Sequence, residues 1–167
     1  TGLRLSSYRR QGGWEGAARA LQRPSPEAIL AEVEDARLWT RLGEGAPLVD
    51  TLKAQRARRT TRIVLRAFEV APGAFRSRVL LERNPQIVLE GLVVASHILG
   101  VEEAIICLRG EHGEAFRSLI EAAGEAEQGG YLGASILGSS SSLYLSIQRC
   151  PGAQVGGQPW ALLSALQ

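Results

Sequence analysis

The sequence predicts an α/β fold with a small, mostly parallel sheet and helices on both of its faces. Three β-rich stretches, "RIVLRAF", "AIICLRG" and "SLYLSIQR", alternate with two helix-forming stretches in the second part of the chain. Strands that alternate with helices are typical of parallel βαβ units, in which right-handed crossovers place the helices on the sheet. The first forty residues are instead rich in helix-forming sequence, so we expect amino-terminal helices to precede the sheet.

Length and composition predict one folded domain over residues 1–167, mainly helical in 1–60 and with a Rossmann-like α/β core in 61–167. Apolar residues make up 45% and charged residues 22%, which excludes a disordered chain. The most apolar stretch, residues 87–99, contains Glu90 and His97 and is shorter than the roughly 20 residues of a membrane span. With no secretory signal recognisable, the expected location is cytoplasmic.

Two helix starts are marked by a polar residue that is followed by proline. Ser25 and Pro26 form one such pair, and Asn84 and Pro85 form the other. Serine and asparagine favour the N-cap position, and proline favours the first helical position because its missing N–H would have no partner there. The second of these helices is predicted to run to about residue 99 and to end at Gly100, which favours a left-handed stop.

Periodicity and glycine stops predict the remaining helices. One is expected from about Leu48 to Arg58, and another from about Gly113 to Gln128, where two glycines follow. The segment between residues 129 and 142 is dominated by glycine and serine, which is typical of a surface loop. The final stretch, "CPGAQVGGQPWALLSALQ", is predicted to be a loop that enters a helix.

Few side chains are candidates for a catalytic or metal-binding role. Cys107 is expected to be a small buried apolar residue, and Cys150 lies in a predicted turn. Two cysteines are too few for an iron–sulfur cluster, so a cluster would have to belong to a partner chain. His97 is expected to be a hydrogen-bonded core or boundary residue, and we predict no metal site. The serine run 139–142 has no base nearby in the sequence.

Four arginines, Arg56, Arg58, Arg59 and Arg62, lie within seven positions. Such a cluster could contact nucleic-acid phosphates, which makes a nucleic-acid binder a third and distant alternative. No aromatic stacking partners accompany the cluster, and the net charge of the chain is only +2. A solvated connector is therefore favoured, and no nucleic-acid partner is expected.

A family resemblance is carried by "PGAFRSRVLLERNPQIVLEGLVVASHILG", "VEEAIICLRGEHGEAFRSLIEAA" and "GYLGASILGS". These stretches resemble the NADH-binding flavoprotein (51 kDa) subunit of respiratory complex I and related subunits of NAD-linked hydrogenases and formate dehydrogenases. The resemblance covers nearly the whole chain but only the front half of that family's architecture, as expected of a truncated and degenerate member. It implies the fold of the FMN-binding domain and places the FMN and NADH sites on three loops.

The first of these loops reads G-R-G-G-A-G-F-P-T-G in the family and "TRLGEGAPLV" here. Arg41, Gly43 and Gly45 match the family, whereas Leu42 replaces a glycine and Glu44 replaces an alanine. A leucine side chain would obstruct the approach of backbone amides to a phosphate. A carboxylate about 4 Å from a phosphate charge would cost roughly 4 kcal/mol at an effective dielectric constant of 20.

The second loop reads N-A-D-E-S-E-P-G in the family and "RAFEVAPG" here. Glu69 keeps the acid of the motif, and the final proline and glycine are also retained. Phe68 stands at the aspartate position and Arg66 at the asparagine position, so the side chains that would hydrogen-bond the flavin and the nicotinamide are changed.

The third loop reads G-A-Y-I-C-G-E-E-T-A-L in the family and "GAQVGGQPWAL" here. Gly157 matches the second glycine of the motif. The paired carboxylates become Gln158 and Pro159, and Trp160 replaces the threonine. Proline also removes a backbone donor at the start of the following helix.

These replacements predict that the chain has no catalytic residues and binds no cofactor, although FMN and NADH are the family's cofactors. Arg41, Gly43, Gly45, Glu69 and Gly157 would be vestigial positions. The bulkier Leu42, Phe68 and Trp160 are predicted to fill the vacated pocket, because an empty cavity is destabilising. The alternative for Trp160 is that it packs its own helix against the sheet.

The favoured function is therefore that of a pseudo-enzyme, a non-catalytic relative of the flavoprotein subunit. It would act as a structural or docking component of a redox complex. Its expected partner is either another redox-complex subunit or a second copy of the chain. The alternative is an FMN-binding NADH dehydrogenase module with a rearranged site, which a partner iron–sulfur subunit would complete.

Overall fold

The computed structural model describes residues 2–23, 25–40, 45–67 and 73–150. Its helices and strands follow one another in the predicted order, with helices first and then strands that alternate with helices. In chain order they are α1 (Leu5–Arg10), α2 (Glu15–Leu21), α3 (Pro26–Asp35), α4 (Leu48–Ala57), β1 (Ile63–Ala67), α5 (Arg76–Arg83), α6 (Pro85–Leu99), β2 (Glu103–Arg109), α7 (Gly113–Gln128) and β3 (Tyr144–Cys150). A 3-10 turn at Ile136–Gly138 precedes β3.

The strands form a parallel sheet in the order β1-β2-β3. Ile63 of β1 lies opposite Ala104 of β2, and Glu103 of β2 lies opposite Tyr144 of β3. Each pair of neighbouring strands is joined by a connection that contains a long helix, α6 or α7, because parallel neighbours cannot be joined by a tight hairpin. The predicted α/β class with a small parallel sheet is confirmed.

Side chains of the central strand alternate between two apolar clusters. Ala104, Ile106 and Leu108 belong to the main core, together with buried residues of α6 and α7. Ile105 and Cys107 point to the opposite face and form a small cluster with residues of the neighbouring strands. Because the strands follow one another in sequence order, successive right-handed crossovers bring α6 and α7 to the same face.

The predicted boundaries of α6 are confirmed, but the expected side-chain cap is not formed. The helix begins at Pro85, and Gly100 follows its last residue with a φ of 69°, the left-handed conformation that glycine favours. Asn84 occupies the N-cap position, yet its side chain makes no capping hydrogen bond. Ser25 in front of α3 behaves in the same way. Proline is therefore the more reliable signal at both starts.

Helix α5 is not among the helices that the sequence predicts. Its sequence, "RSRVLLER", buries only Leu81, while Val79 and Leu80 remain exposed. An apolar stripe on one helix face is the signal on which a sequence-based prediction depends. Here the apolar residues are consecutive, so the pattern does not distinguish a helix from a loop.

The amino-terminal helices are fastened to α6 by one carboxylate. Glu90 accepts a hydrogen bond of 2.6 Å from the hydroxyl of Tyr8. It also accepts hydrogen bonds from the backbone N–H groups of Trp14, at 3.0 Å, and Ala17, at 3.1 Å. These amides belong to the first turn of α2 or precede it, where backbone donors lack partners within the helix. Glu90 therefore joins α1, α2 and α6.

Trp14 provides a second link between the amino-terminal helices and the core. Its side chain is 2% exposed, and its ring centroid lies 4.7 Å from that of Tyr131. Its indole Nε1 donates a hydrogen bond of 3.0 Å to the side-chain oxygen of Gln86. The amide nitrogen of Gln86 in turn donates to the carbonyl of Ala122 in α7, at 3.2 Å. A buried polar chain thus connects α2, α6 and α7.

Within the described ranges, no helix combines the length and the apolar character that a membrane crossing requires.

Candidate functional site

The carboxyl ends of the strands define the candidate site. β1 ends at Ala67, β2 at Arg109 and β3 at Cys150, and all three ends lie at one edge because the strands are parallel. Ligands of open α/β sheets bind in the crevice outside the carboxyl ends of the strands. The second predicted loop leaves β1 at this edge, and the third follows β3.

An arginine stands at the last or next-to-last position of each strand at this edge. These residues are Arg66, Arg109 and Arg149, and we call them the arginine rim. In the register, Arg66 lies opposite Cys107 and Arg149 lies opposite Leu108, so all three occupy neighbouring rungs. Because side chains alternate along a strand, Arg66 and Arg109 lie on one face of the sheet and Arg149 on the other. Cationic side chains at a ligand-binding edge attract anions such as phosphates.

Arg109 carries a buried hydrogen-bond donor that has no partner among the described residues. Its Nη2 donates to a carboxylate oxygen of Glu111 at 2.8 Å, whereas its Nε is buried without a hydrogen-bond partner among the described residues. A buried donor without a partner is costly, and an anion that accepted a hydrogen bond from it would relieve that cost. The guanidinium of Arg149 is held over the ring of Phe116, 4.1 Å from its centroid.

Hydrogen bonds join the two ends of the first predicted loop. The N–H of Thr40 donates to the carbonyl of Ala46 at 2.8 Å, and the N–H of Ala46 donates to the hydroxyl of Thr40 at 2.9 Å. Trp39 and Pro47 form an antiparallel bridge beside them. Gly45 has a φ of 75°, a conformation that favours glycine. A Cβ there would lie 3.6 Å from the carbonyl oxygen of Thr40, so the backbone angle and not space requires glycine.

The other residues predicted for the vestigial site and for filling the pocket lie outside the described residues. They are Arg41, Leu42, Gly43, Phe68, Glu69, Gly157 and Trp160. The vestigial positions and the pocket-filling replacements among them stay predictions. The arginine rim, by contrast, is a feature that the sequence analysis missed, although each predicted strand visibly carries an arginine near its end.

His97 forms a contact that its sequence neighbours do not reveal. Its Nδ1 lies 2.8 Å from the hydroxyl of Ser141, which is 44 positions away. Its Nε2 is buried without a partner among the described residues. Burial, and then the charge of Arg56, lower the pKa of His97. A hydrogen-bonded boundary histidine, kept neutral by its surroundings, fits these observations.

The two cysteines are neighbours in the sheet. Cys107 is fully buried, as predicted, whereas Cys150 is the last residue of β3 and is buried, so its predicted location in a turn is wrong. Both thiols are free. Burial, together with the nearby Cys150, raises the pKa of Cys107 to about 12. A thiol with such a pKa is not a nucleophile at neutral pH.

Two members of the arginine cluster are neutralised within the chain. Arg56 pairs with Glu27 at 3.1 Å and also donates to the backbone carbonyl of Ile98. Arg62 pairs with Glu103 at 2.6 Å. These contacts support a connector that links α4 to its surroundings, and they reduce the charge that would be available to a nucleic acid.

Comparisons with known proteins agree with this geometry. A family model described as the Nuo51 FMN-binding domain matches residues 33–167. One NADH-quinone oxidoreductase subunit of Rhizobium meliloti is 34% identical over 98% of this chain and 39% of its own length. The corresponding NADH-quinone oxidoreductase subunit of Aquifex aeolicus is 34% identical over 98% of this chain and 38% of its own. A crystal structure of an NAD+-reducing NiFe hydrogenase in the H2-reduced state matches with a TM-score of 0.67 and 29% identity, over 90% of this chain and 26% of that chain.

The predictions of a pseudo-enzyme and of a chain without a cofactor are wrong. The family model that matches is that of an FMN-binding domain, and the curated relatives are subunits of oxidoreductases. The error has a physical origin, because the prediction was based on the side chains of the loops. Backbone amides and cationic groups at the strand ends also bind phosphates, and loop substitutions do not remove them.

The resemblance to the 51 kDa flavoprotein subunit is confirmed. The chain spans well under half the length of the curated relatives that it matches, at 39% and 38%. The family model, however, covers residues 33–167, which is most of the chain. The chain therefore belongs to the family of the Nuo51 FMN-binding domain.

Proposed function

We propose that the chain is an FMN-binding module of an NADH-oxidising dehydrogenase, with a rearranged site and a partner subunit that carries the iron–sulfur centre. The observation that supports this most is the match of an FMN-binding family model to residues 33–167. The names of the relatives, which are NADH-quinone oxidoreductase subunits and an NAD+-reducing hydrogenase, indicate the same chemistry. With only two cysteines, these 167 residues cannot themselves supply the four thiolates that a cluster usually takes.

The described residues fit the phosphate of FMN. The phosphate is an anion, and the arginine rim offers it positive charge. The Nε of Arg109, which has no partner within the described part of the chain, offers it a hydrogen-bond donor. Gly45 has the left-handed conformation and lies beside the hydrogen bond that joins Thr40 to Ala46. We assign Arg109 to the phosphate. Bound FMN would supply the hydride acceptor for NADH and would pass electrons onward.

We assign residues 1–167 to one domain. Tyr8, Trp14 and Ala17 of the amino-terminal segment belong to the same apolar core cluster as Ile106 of the sheet. The hydrogen bonds of Glu90 with Tyr8 and Trp14 join the predicted helical segment, 1–60, to the predicted α/β core, 61–167. A shared core and shared polar contacts are what a single domain requires.

The proposal is tested by adding NADH, under anaerobic conditions, to the full chain loaded with FMN. The expected result is a loss of the visible absorbance of the flavin, because hydride transfer reduces it. Free FMN at the same concentration with NADH serves as the control. An absorbance that fell no faster than in this control would show that the chain binds flavin without dehydrogenase activity, and it would refute the proposed reaction.

The assignment of Arg109 predicts a specific loss of affinity. Arg109→Gln is expected to raise the Kd for FMN at least about tenfold, because a hydrogen bond to a charged group contributes about 1.5–3 kcal/mol. Titration of FMN fluorescence measures this change. Arg19→Gln, which changes an exposed arginine in the last turn of α2, is the control. Equal affinities of the wild type and Arg109→Gln would contradict the assignment.

A further inference from the structure

Helix α5 exposes an apolar surface. Phe75, which immediately precedes the helix, is 61% exposed, and Val79 and Leu80 are 37% and 41% exposed. Phe75 and Val79 are one helical turn apart, so they lie on the same side. Leu81 anchors the opposite side of the helix in the main core. The helix is thus fixed on one side and leaves large apolar groups in water on the other.

The charged side chains of α5 that have no ion-pair partner among the described residues are arginines. No ion pair between described residues involves Arg76 or Arg83, which stand at the two ends of α5. Arg78 pairs with Glu82 at 3.7 Å, so the one carboxylate of the helix already has a partner. The exposed side of α5 therefore combines apolar groups with arginines that have no counter-ion among the described residues.

Exposed apolar residues also occur on the two helices that α5 packs against. Ile87 of α6 and Ile120 of α7 are each 46% exposed. Exposed apolar groups that are concentrated in one region, with a polar rim, mark interaction sites more often than isolated ones do. We call the surface formed by Phe75, Arg76, Val79, Leu80 and Arg83 the α5 face.

We propose that the α5 face docks a partner protein through a segment that carries carboxylates around apolar side chains. Apolar side chains of the partner would cover Phe75, Val79 and Leu80, and its carboxylates would pair with Arg76 and Arg83. A second copy of this chain would instead bring arginine towards arginine, which is repulsive. The inference rests on the proposed function at one point: a separate iron–sulfur subunit would need a surface on this chain to bind to.

The occupant can be identified by cross-linking. Val79 is replaced by p-benzoylphenylalanine in the natural full-length protein, and adducts are formed by light in the cells that make it. We expect an adduct with another protein, at a segment that contains aspartate or glutamate. That protein is then purified, and its Kd for the wild type and for Arg76→Glu/Arg83→Glu is measured. The double variant is expected to weaken binding at least about tenfold, which corresponds to 1.4 kcal/mol.

The controls separate this surface from the flavin site. Arg19→Glu, a single charge reversal on α2, is expected to leave the Kd for the partner unchanged. FMN affinity is measured on the same variants and is expected to remain that of the wild type, so loss of docking and loss of flavin binding are scored independently. Adducts with phospholipid, nucleic acid, a second copy or another part of the same chain would each overturn the proposal. Absence of an adduct, or insensitivity to the double charge reversal, would overturn it as well.

Discussion

Trp14→Ala is expected to lower the free energy of unfolding by about 5 kcal/mol. Removing a buried tryptophan costs about 3–5 kcal/mol through lost contacts and the cavity that remains. Here the indole also occupies the side-chain oxygen of Gln86, which is fully buried and would lose this partner. A buried acceptor without a partner adds about 1–3 kcal/mol. The contact with Tyr131 would be lost at the same time.

Thermal unfolding followed by circular dichroism measures this effect. For a chain of this size, a loss of 5 kcal/mol lowers the Tm by about 10–20 °C. Trp39→Ala is the matched control, because Trp39 is 63% exposed and its replacement is expected to change stability by less than about 0.5 kcal/mol. If Trp14→Ala and Trp39→Ala had the same small effect, Trp14 would not be part of the core.

Glu90→Ala is expected to lower the free energy of unfolding by about 3 kcal/mol. The carboxylate accepts hydrogen bonds from Tyr8, Trp14 and Ala17, and alanine would leave these donors without an acceptor. Each donor that stays buried without a partner costs about 1–3 kcal/mol, although water can reach part of this site and reduce the loss. The amino-terminal helices are expected to loosen first, since Glu90 fastens them to α6.

Urea denaturation of Glu90→Ala, Tyr8→Phe and the double variant measures the contribution of this contact. Because the two residues share a hydrogen bond, their effects are expected to be less than additive, with an interaction energy of at least about 0.5 kcal/mol. Glu127→Ala, at an exposed position of α7, is the control and is expected to be close to neutral. Strictly additive losses for Glu90 and Tyr8 would contradict the network.

Much of the fold follows from local signals in the sequence. α7 runs from Gly113 to Gln128 as predicted, and α6 has its predicted boundaries, because proline and glycine act on the backbone directly. The strands were predicted from short β-rich runs between these helices. α5 escaped prediction because its burial depends on the surface of α7 against which it packs, and not on its own pattern.

Contacts between distant positions could not be predicted in the same way. Tyr8 and Glu90 are 82 positions apart, and Trp14 and Gln86 are 72 positions apart. Nothing local in either segment indicates that they pair, because each pair forms only when α1 and α2 pack on α6. A glutamate and a glutamine in a helical stretch are otherwise explained equally well as solvated side chains.

The resemblance assigns the site to three loops, and the second and third of these follow the last residues of β1 and β3 in the chain. Gly45, at the end of the first loop, has the left-handed conformation that favours glycine. The prediction that no cofactor binds was based entirely on replaced loop side chains such as Leu42. It did not consider the arginines near the strand ends, which the register of the sheet places at one edge as Arg66, Arg109 and Arg149.

Titration of the purified chain with FMN, followed by quenching of flavin fluorescence, tests the central claim most directly. We expect saturation at one FMN per chain with a Kd near or below about 1 μM, which corresponds to about −8 kcal/mol. Saturable binding would also contradict the prediction that Leu42, Phe68 and Trp160 fill the pocket. No quenching at FMN concentrations up to about 1 mM, where even a free energy near −4 kcal/mol would be detected, would contradict the account.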